Sequence, residues 1–506
     1  MDEKHYFDFV IIGSGMGGAA AAHVLKDTGR QILILERGDY LKQEKQNWDI
    51  SEVAEKHRYD ADEVWYDGHG NPFNPRIYYN VGGNSKVYGA AALRLRKEDF
   101  ASRLHSGGST VDWPFPYETL APFYDQAELL LGVRGEVGED PTEPERGPFP
   151  LPRIEHEPEI ERLADQLRSQ GLHPIHLPLA IDQGPKGRCQ KGSPCDGFPC
   201  MVRAKGDAEN RILRPLLLKK TPNVNLWTNS YVDRLDTDES GKRVVRARVR
   251  RNGQDVVVEA GTFIVSAGAV NSAALLLRSK NDRHPTGLAN SSGQVGRNFM
   301  SHNNSVILAL STRRKNPTNF QKTLAIHDFY NGDHSVDGAP LGAIQMRGKV
   351  KAQMLKRKPK LVLRLFPRAI AERSVDLWVM SEDLPNPENR VTTDDEGRIS
   401  LTRRLTNIAS HRKLLKNAKR MMHRAGYPIC IVDRRGASAI QHQCGTVRFG
   451  SDPGVSVLDQ WCRTHDVENL YVIDSSFFPS SGAVNPSLTI LAQALRAAEH
   501  IKETVV

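Results

Sequence analysis

Phe7-Asp8-Phe9-Val10-Ile11-Ile12-Gly13-Ser14-Gly15-Met16-Gly17-Gly18 is the stretch that decides the fold. A short, mostly apolar run leads directly into G-x-G-x-x-G, and an alanine-rich stretch from Ala19 to Leu25 has helical character. Gln31 to Leu35 then reads as a second buried strand and ends at Glu36. Each part has a physical task. Gly13 permits the tight turn out of the strand, Gly15 lets the backbone approach a pyrophosphate, and Gly18 lets the helix pack close to the sheet. The helix N-terminus offers free N–H groups and the positive end of a dipole to phosphates. Glu36 lies about twenty residues on, where a carboxylate accepts ribose hydroxyls. The order strand, glycines, helix, strand, acid specifies a dinucleotide site, without choosing between NAD and FAD.

Working outward, Tyr79 to Gly89 (YNVGGNSKVYG) contains two consecutive glycines among small polar residues. Backbone amides in such a segment can wrap a phosphate or a flat ring, although taken alone it is an ordinary glycine turn. Val224 to Trp227 reads as a strand. Val244 to Arg250 and Val256 to Glu259, joined at Asn252-Gly253, read as a hairpin with a primed turn. Thr262 to Ser272 (TFIVSAGAVNS) is a strand running into small residues and a helix, and Val295 to Met300 closes the block. Near the C-terminus, Gln441-His442-Gln443-Cys444-Gly445-Thr446 precedes Asn469 to Asp474 (NLYVID). Asn485-Pro486-Ser487 then opens a stretch in which Leu488, Leu491, Ala492, Leu495 and Ala498 recur at helical spacing. Asn485 and Pro486 suit a cap and first turn.

These blocks, in this order, resemble the glucose–methanol–choline (GMC) oxidoreductases, over nearly the whole chain and least between residues 300 and 430. Within that family the tail is most similar to bacterial pyranose oxidases and their relatives that oxidise glycosides. The resemblance implies one FAD lined by all of these segments. Glu36, with Arg37 beside it, would bind the adenosine ribose. Gly82, Gly83 and Ser85 would follow the pyrophosphate and ribityl chain, with Tyr88 and Gly89 completing that segment. Val232 would offer its backbone to adenine, Ala267 and Gly268 would contact the adenosine end, and Asp474 the ribityl chain. Asn485, Pro486 and Ser487, at the start of the last helix, would face the flavin's pyrimidine edge, where reduced flavin carries negative charge. At the position where some members carry a flavin-linked histidine this chain has Val87, so the FAD is expected to be non-covalent. Gly89 would leave room beside the flavin's C4a–N5 edge, compatible with dioxygen as acceptor.

The same resemblance makes His442 the catalytic base and Asn485 its partner. Oxidation of an alcohol by flavin requires loss of the hydroxyl proton and transfer of hydride to N5. A histidine within reach of the hydroxyl lowers that barrier. The expected activity is oxidation of a secondary alcohol of a sugar or glycoside, at C2 or C3 of a glucosyl unit, to a ketone. Oxygen or another acceptor reoxidises the flavin. A sterol, choline-like or aryl alcohol is the alternative substrate. A non-catalytic flavin- or nucleic-acid-binding protein is a more distant reading, and an NAD dehydrogenase is disfavoured by the extra FAD-type segments.

The expected fold class is α/β, α+β overall: a Rossmann-like FAD-binding domain with a discontinuous antiparallel-sheet substrate domain. The FAD domain would comprise residues 1–100, 190–302 and 436–506, and the substrate domain 101–189 and 303–435. In the latter, residues 113–133 read as an amphipathic helix. Ser305 to Leu310 and Val375 to Val379 read as strands, and Asn389 to Leu401 as a hairpin around Glu396-Gly397, a pattern suited to a sheet covering the flavin. Residues 40–78 are candidates for a lid or subunit contact.

Bulk properties narrow the class. The chain has 506 residues, 39% hydrophobic and 25% charged, a soluble globular composition too long for one core. No run of about 18 apolar residues marks a membrane span. The acidic start, MDEKHYFDFV, is no secretory signal, so a cytoplasmic protein is expected. Much of the +9 net charge lies between Arg347 and Arg368, including Lys356, Arg357, Lys358 and Lys360. This run reads as a solvated face, with no aromatic interleaving to suit nucleic acid. Cys189, Cys195 and Cys200 lack a C-x-x-C pair and a fourth ligand, so they read as a structural loop and no metal is expected. His173 and His176 read as part of that loop's approach, His302 as a possible border of the substrate pocket, and Cys444 as packing. Oligomeric state is left open.

Overall fold

The stretch around Gly13 folds as its pattern requires. The computed structural model describes residues 4–192, 194–219, 221–333, 338–356, 358, 360–436 and 440–505. Lys4–Ile12 is a strand and Met16–Leu25 a helix. The strand runs parallel to Ile32–Leu35 on one side and to Gln254–Val265 on the other. Val224–Trp227 extends the sheet beyond Ile32–Leu35, and Leu470–Val472 joins the end of Gln254–Val265, again in parallel. Phe9 to Ile12 and Ile32 to Leu35 are buried almost completely, because parallel strands covered on both faces are apolar throughout. Ala19 to Ala22 are wholly buried. Their small side chains let the fingerprint helix lie between the sheet and the C-terminal helix, Ser487–Val505.

The hairpin forms from Val244–Arg251 and the first half of Gln254–Val265, with Ser230–Thr237 as the outer strand. Asn252 and Gly253 both have positive φ, +49° and +83°, the primed geometry that matches strand twist.

A second, six-stranded sheet is antiparallel throughout. Its order is Ile429–Arg434, Asn303–Leu310, Ser374–Ser381, Ala343–Met346, Leu324–Ile326, Pro174–His176. This is the antiparallel sheet expected, but its faces are occupied by packing. Every residue of Asn303–Leu310 is buried. Ile307 and Ala309 pack among residues of the helices Pro158–Arg168 and Ile408–Arg424, and Val306, Leu308 and Leu310 pack with Val350, Leu355, Leu363 and Ile370. What reaches the site is the beginning of this strand and the residues just before it. The hairpin Arg390–Thr393 with Ile399–Thr402 belongs to neither large sheet. It joins Trp65–Asp67 and Pro72–Phe73 in a four-stranded sheet, so part of the 40–78 segment is tied to the 389–401 segment.

The helix expected in residues 113–133 is Tyr117–Leu131. Within the basic run, Arg357 lies outside the described residues; Lys358 pairs with Asp433 at 3.2 Å, and Lys349 donates to the Asn316 carbonyl at 2.9 Å. Leu361, Val362, Leu365 and Phe366 are exposed beside it. Among the described residues, no helix is long and apolar enough to cross a membrane.

Candidate active site

The carboxyl ends of the parallel strands bring Gly13, Glu36, Ser266 and Asp474 to one edge, where open α/β sheets bind ligands. The glycines are required by space. A Cβ on Gly13 (φ +101°) would lie 2.3 Å from the Ser266 carbonyl oxygen, and one on Gly18 would lie 2.0 Å from that of Gly13. Beside Gly15 there is open space, at the N-cap of the fingerprint helix, whose first N–H groups have no partner within the helix.

Glu36 is buried and saturated on three sides. Its Oε2 accepts from Ser14 N–H at 3.1 Å and from Ser14 Oγ at 2.5 Å, and its Oε1 accepts from Gly38 N–H at 2.9 Å. Burial pushes this carboxyl above its usual range, while the bonds from Gly38 and Ser14 pull it down. Ser14 Oγ also accepts from Gly82 N–H at 3.1 Å. Sequence reading passed over Ser14 as a free position of the motif, yet it joins acid, glycine turn and GG segment. Arg37 stacks its guanidinium on the rings of Tyr79 and Tyr231, 4.0 and 4.7 Å from their centroids, and pairs with Glu63. Val232 lies in the adjoining strand opposite Val249.

The GG segment is fastened from several sides. Gly83 lies against Gly15, Ser85 Oγ donates to the Gly82 carbonyl and accepts from Ala208 N–H, and Tyr88 donates to the Gly206 carbonyl at 2.6 Å. Buried Lys86 pairs with Glu209 at 2.6 Å and Asp207 at 3.2 Å. On the opposite wall Asp474 accepts from Gly268 N–H, Ser272 Oγ and Ser476 N–H, and Ala267 N–H donates to Ser272 Oγ. A carboxylate has about four acceptor positions, so Asp474 retains one.

His442 and Asn485 are brought together across the mouth of this cradle. Asn485 Nδ2 lies 3.5 Å from His442 Nε2, and Asn485 Oδ1 is buried without a partner. Pro486 and Ser487 follow at the helix start, but the Asn485 side chain turns to His442 instead of capping the helix. His302, buried, places its Nδ1 3.0 Å from His442 Nδ1 and its Nε2 3.4 Å from the Ser481 carbonyl oxygen. A carbonyl only accepts, so His302 carries its proton on Nε2 and accepts at Nδ1. His442 then donates from Nδ1, which leaves its Nε2 lone pair facing Asn485. Burial, reinforced by His302 and by Lys322, pushes His442 well below the ordinary histidine range. The imidazole is therefore neutral at neutral pH.

Gly89 does not border open space on its Cβ side. A Cβ there would lie 1.8 Å from Lys322 Nζ and 2.3 Å from Asp196 Oδ1. The room on that side of Gly89 is taken by the Lys322–Asp196 ion pair. Asp196 comes from the cysteine loop. That loop is held by Lys205, which donates to the Cys195 and Phe198 carbonyls at 2.7 and 2.8 Å. Its thiols are free, and burial pushes Cys195 up to about 11 and raises Cys189. Cys444 is buried, and burial raises its thiol strongly. Apart from the site, His156, Glu161 and His176 bring ligand atoms within 4.8 Å of one another. The two rings stack at 3.9 Å and 10°, and the Nε2 atoms of both are buried without a hydrogen-bond partner.

A glycine cradle at the edge of a parallel sheet, with a neutral histidine and an asparagine across its mouth, defines a dinucleotide-dependent oxidoreductase. The chain belongs to the GMC oxidoreductase family, whose profiles match residues 7–304 and 381–494. It is an FAD flavoenzyme acting on CH–OH donors. It is similar to paromamine 6'-oxidase of Streptomyces fradiae, 32% identical over 99% of this chain and 92% of the relative. It is 28% identical to the fructose dehydrogenase large subunit of Gluconobacter japonicus, over 98% and 97% of the two chains. Among solved structures, pyridoxine 4-oxidase from Mesorbium loti shares the fold with a TM-score of 0.70, at 19% identity over 98% and 99% of the chains.

Proposed function

We propose that this chain oxidises a secondary alcohol of a sugar or glycoside, at C2 or C3 of a glucosyl unit, to a ketone. The observation that carries the reading is the His442–Asn485 pair, with His302 fixing the tautomer that leaves His442 Nε2 basic. His442 Nε2 takes the hydroxyl proton, and Asn485 Nδ2 holds the oxygen as charge develops on it. FAD, when bound, accepts the hydride. Gly13, Gly15 and Gly18 with Gly82, Gly83 and Ser85 are assigned to its pyrophosphate and ribityl chain, joined by Asp474. Glu36, Arg37, Val232, Ala267 and Gly268 are assigned to its adenosine end. Tyr88, Gly89, Pro486 and Ser487 are assigned to the flavin. The FAD is non-covalent, since buried Val87 stands where a linking histidine would be needed.

Residues 1–100, 190–302 and 436–506 are assigned to FAD binding, and 101–189 and 303–435 to the substrate. Free thiols at all six cysteines suit a cytoplasmic protein. Dioxygen or another small carrier serves as acceptor. The names of the relatives support a sugar-like alcohol, and one of them favours a second regiochemistry, the 6' position. Anaerobic mixing with glucose and a panel of O- and C-glucosides, followed by the visible flavin spectrum, tests the class. Bleaching by one sugar class is expected, with the position of the new carbonyl by NMR separating C2, C3 and 6'. A yellow protein bleached by aryl or choline-like alcohols and by no sugar would reject it.

A further inference from the structure

One buried cation at the mouth of the cradle has no task in the reading above. Lys322 is 4% exposed, and its ammonium donates to Asp196 Oδ1 at 2.8 Å. Burial alone would push the Asp196 carboxyl up, yet Lys322 and the Gly348 N–H, 2.7 Å from Oδ2, hold it below the usual range. The pair is fixed from three separate parts of the chain: the cysteine loop, the turn at Gly348, and the segment before Leu324–Ile326. An ammonium has three N–H groups, and Asp196 is the acceptor found for it among the described residues. Nζ rests so closely on Gly89 that any side chain there would displace it. Its charge also reaches His442. Replacing a buried ion pair by apolar side chains of similar volume is often neutral or stabilising, so packing alone is a weak reason for this pair. This one instead sits where the GG segment and the histidine loop meet.

We propose that Lys322 is a further catalytic residue, its ammonium held by Asp196 over Gly89 to stabilise the negative charge that FAD gains on reduction. The inference rests on the reading that Gly89 and His442 face the reactive edge of the flavin. In the reaction the alcohol C–H pair leaves as hydride to FAD and the O–H proton goes to His442. The products are a carbonyl, an imidazolium and a reduced flavin bearing one negative charge. A fixed cation in a water-poor site stabilises that charge without reorganising, and so raises the tendency of the bound flavin to accept electrons.

The test is the midpoint potential of the bound FAD, measured by anaerobic dye equilibration in the holoenzyme and in Lys322→Met. The Met variant is expected to retain FAD while its two-electron reduction constant falls about tenfold or more, which is about 30 mV more negative. Lys322→Arg should recover most of the loss. Lys322→Gln, which keeps a donor for Asp196 but no charge, makes the same measurement should the Met variant fail to hold FAD, and should show the same fall. A potential unchanged in a neutral variant that holds FAD overturns the inference. The substrate reading fails separately: potentials that follow Lys322 in a protein that no sugar bleaches would reject the sugar and keep the cation. Bleaching by sugar with potentials indifferent to residue 322 would do the reverse.

Discussion

His442 holds its backbone in the left-handed region, at φ +59°, and Gly445 and buried Thr446 follow at +76° and +87°. Non-glycine residues adopt such angles only where the surroundings fix them. Here Thr446 Oγ1 donates to the Ala269 carbonyl at 2.6 Å, and Gly445 N–H to that of Ser475. The turn delivers the imidazole edge-on to His302 and Asn485. His442→Ala should leave FAD bound while the rate of flavin reduction by substrate falls about 10²–10⁴-fold, the usual worth of a general base. Equal loss of FAD and rate would instead mean a structural part. The pH dependence follows from the lowered histidine. The basic form is populated above the folded pKa, so the rate of flavin reduction should stay level from pH 8 down through the ordinary histidine value near 6.5. It should fall only at distinctly more acid pH, as protonation removes the base. Stopped-flow reduction across pH measures this, and a midpoint at or above 6.5 would contradict the placement of His302 and Lys322 around it.

The strand–glycine–helix unit shows how far short-range pattern reaches. Gly13 and Gly18 are dictated by contacts within a few residues and by the neighbouring strand end, which is why their spacing was legible. Gly18→Ala would force a methyl against the Gly13 carbonyl and push the fingerprint helix off the sheet. A loss of about 1–3 kcal/mol is expected for such overpacking, seen as a lower thermal midpoint together with weaker FAD retention. The Asn252-Gly253 turn was legible for the same reason, since both residues tolerate the positive φ that a two-residue hairpin demands. The start of the last helix was legible only in part. Asn485 reads as a cap by its type, but its side chain is taken up by His442, 43 positions earlier in the chain, and no local rule contains that competitor.

At the scale of the molecule, strands distant in sequence close the cradle: Gln254–Val265 lies between Lys4–Ile12 and Leu470–Val472, and Trp65–Asp67 pairs with Ile399–Thr402. FAD held by such a cradle without a covalent link should leave with unfolding. Acid precipitation is expected to give a white pellet and a yellow supernatant, whereas a yellow pellet would mean a covalent bond. The sequence by itself determined the parallel sheet, the glycine cradle and its acid, the hairpin, and the family to which they point. These are set by periodicity, steric demand at glycine and spacing along one strand–turn–helix path. Only the tertiary structure decided what surrounds His442. Lys322 comes from a segment with no motif of its own, His302 follows the Val295–Met300 block, Asp196 lies in the cysteine loop, and Ser14 is the variable position of the glycine motif. Their effect depends on burial and on distances of about 3 Å between residues up to 140 positions apart, and charge, tautomer and proton affinity are properties of that assembled environment and not of local sequence.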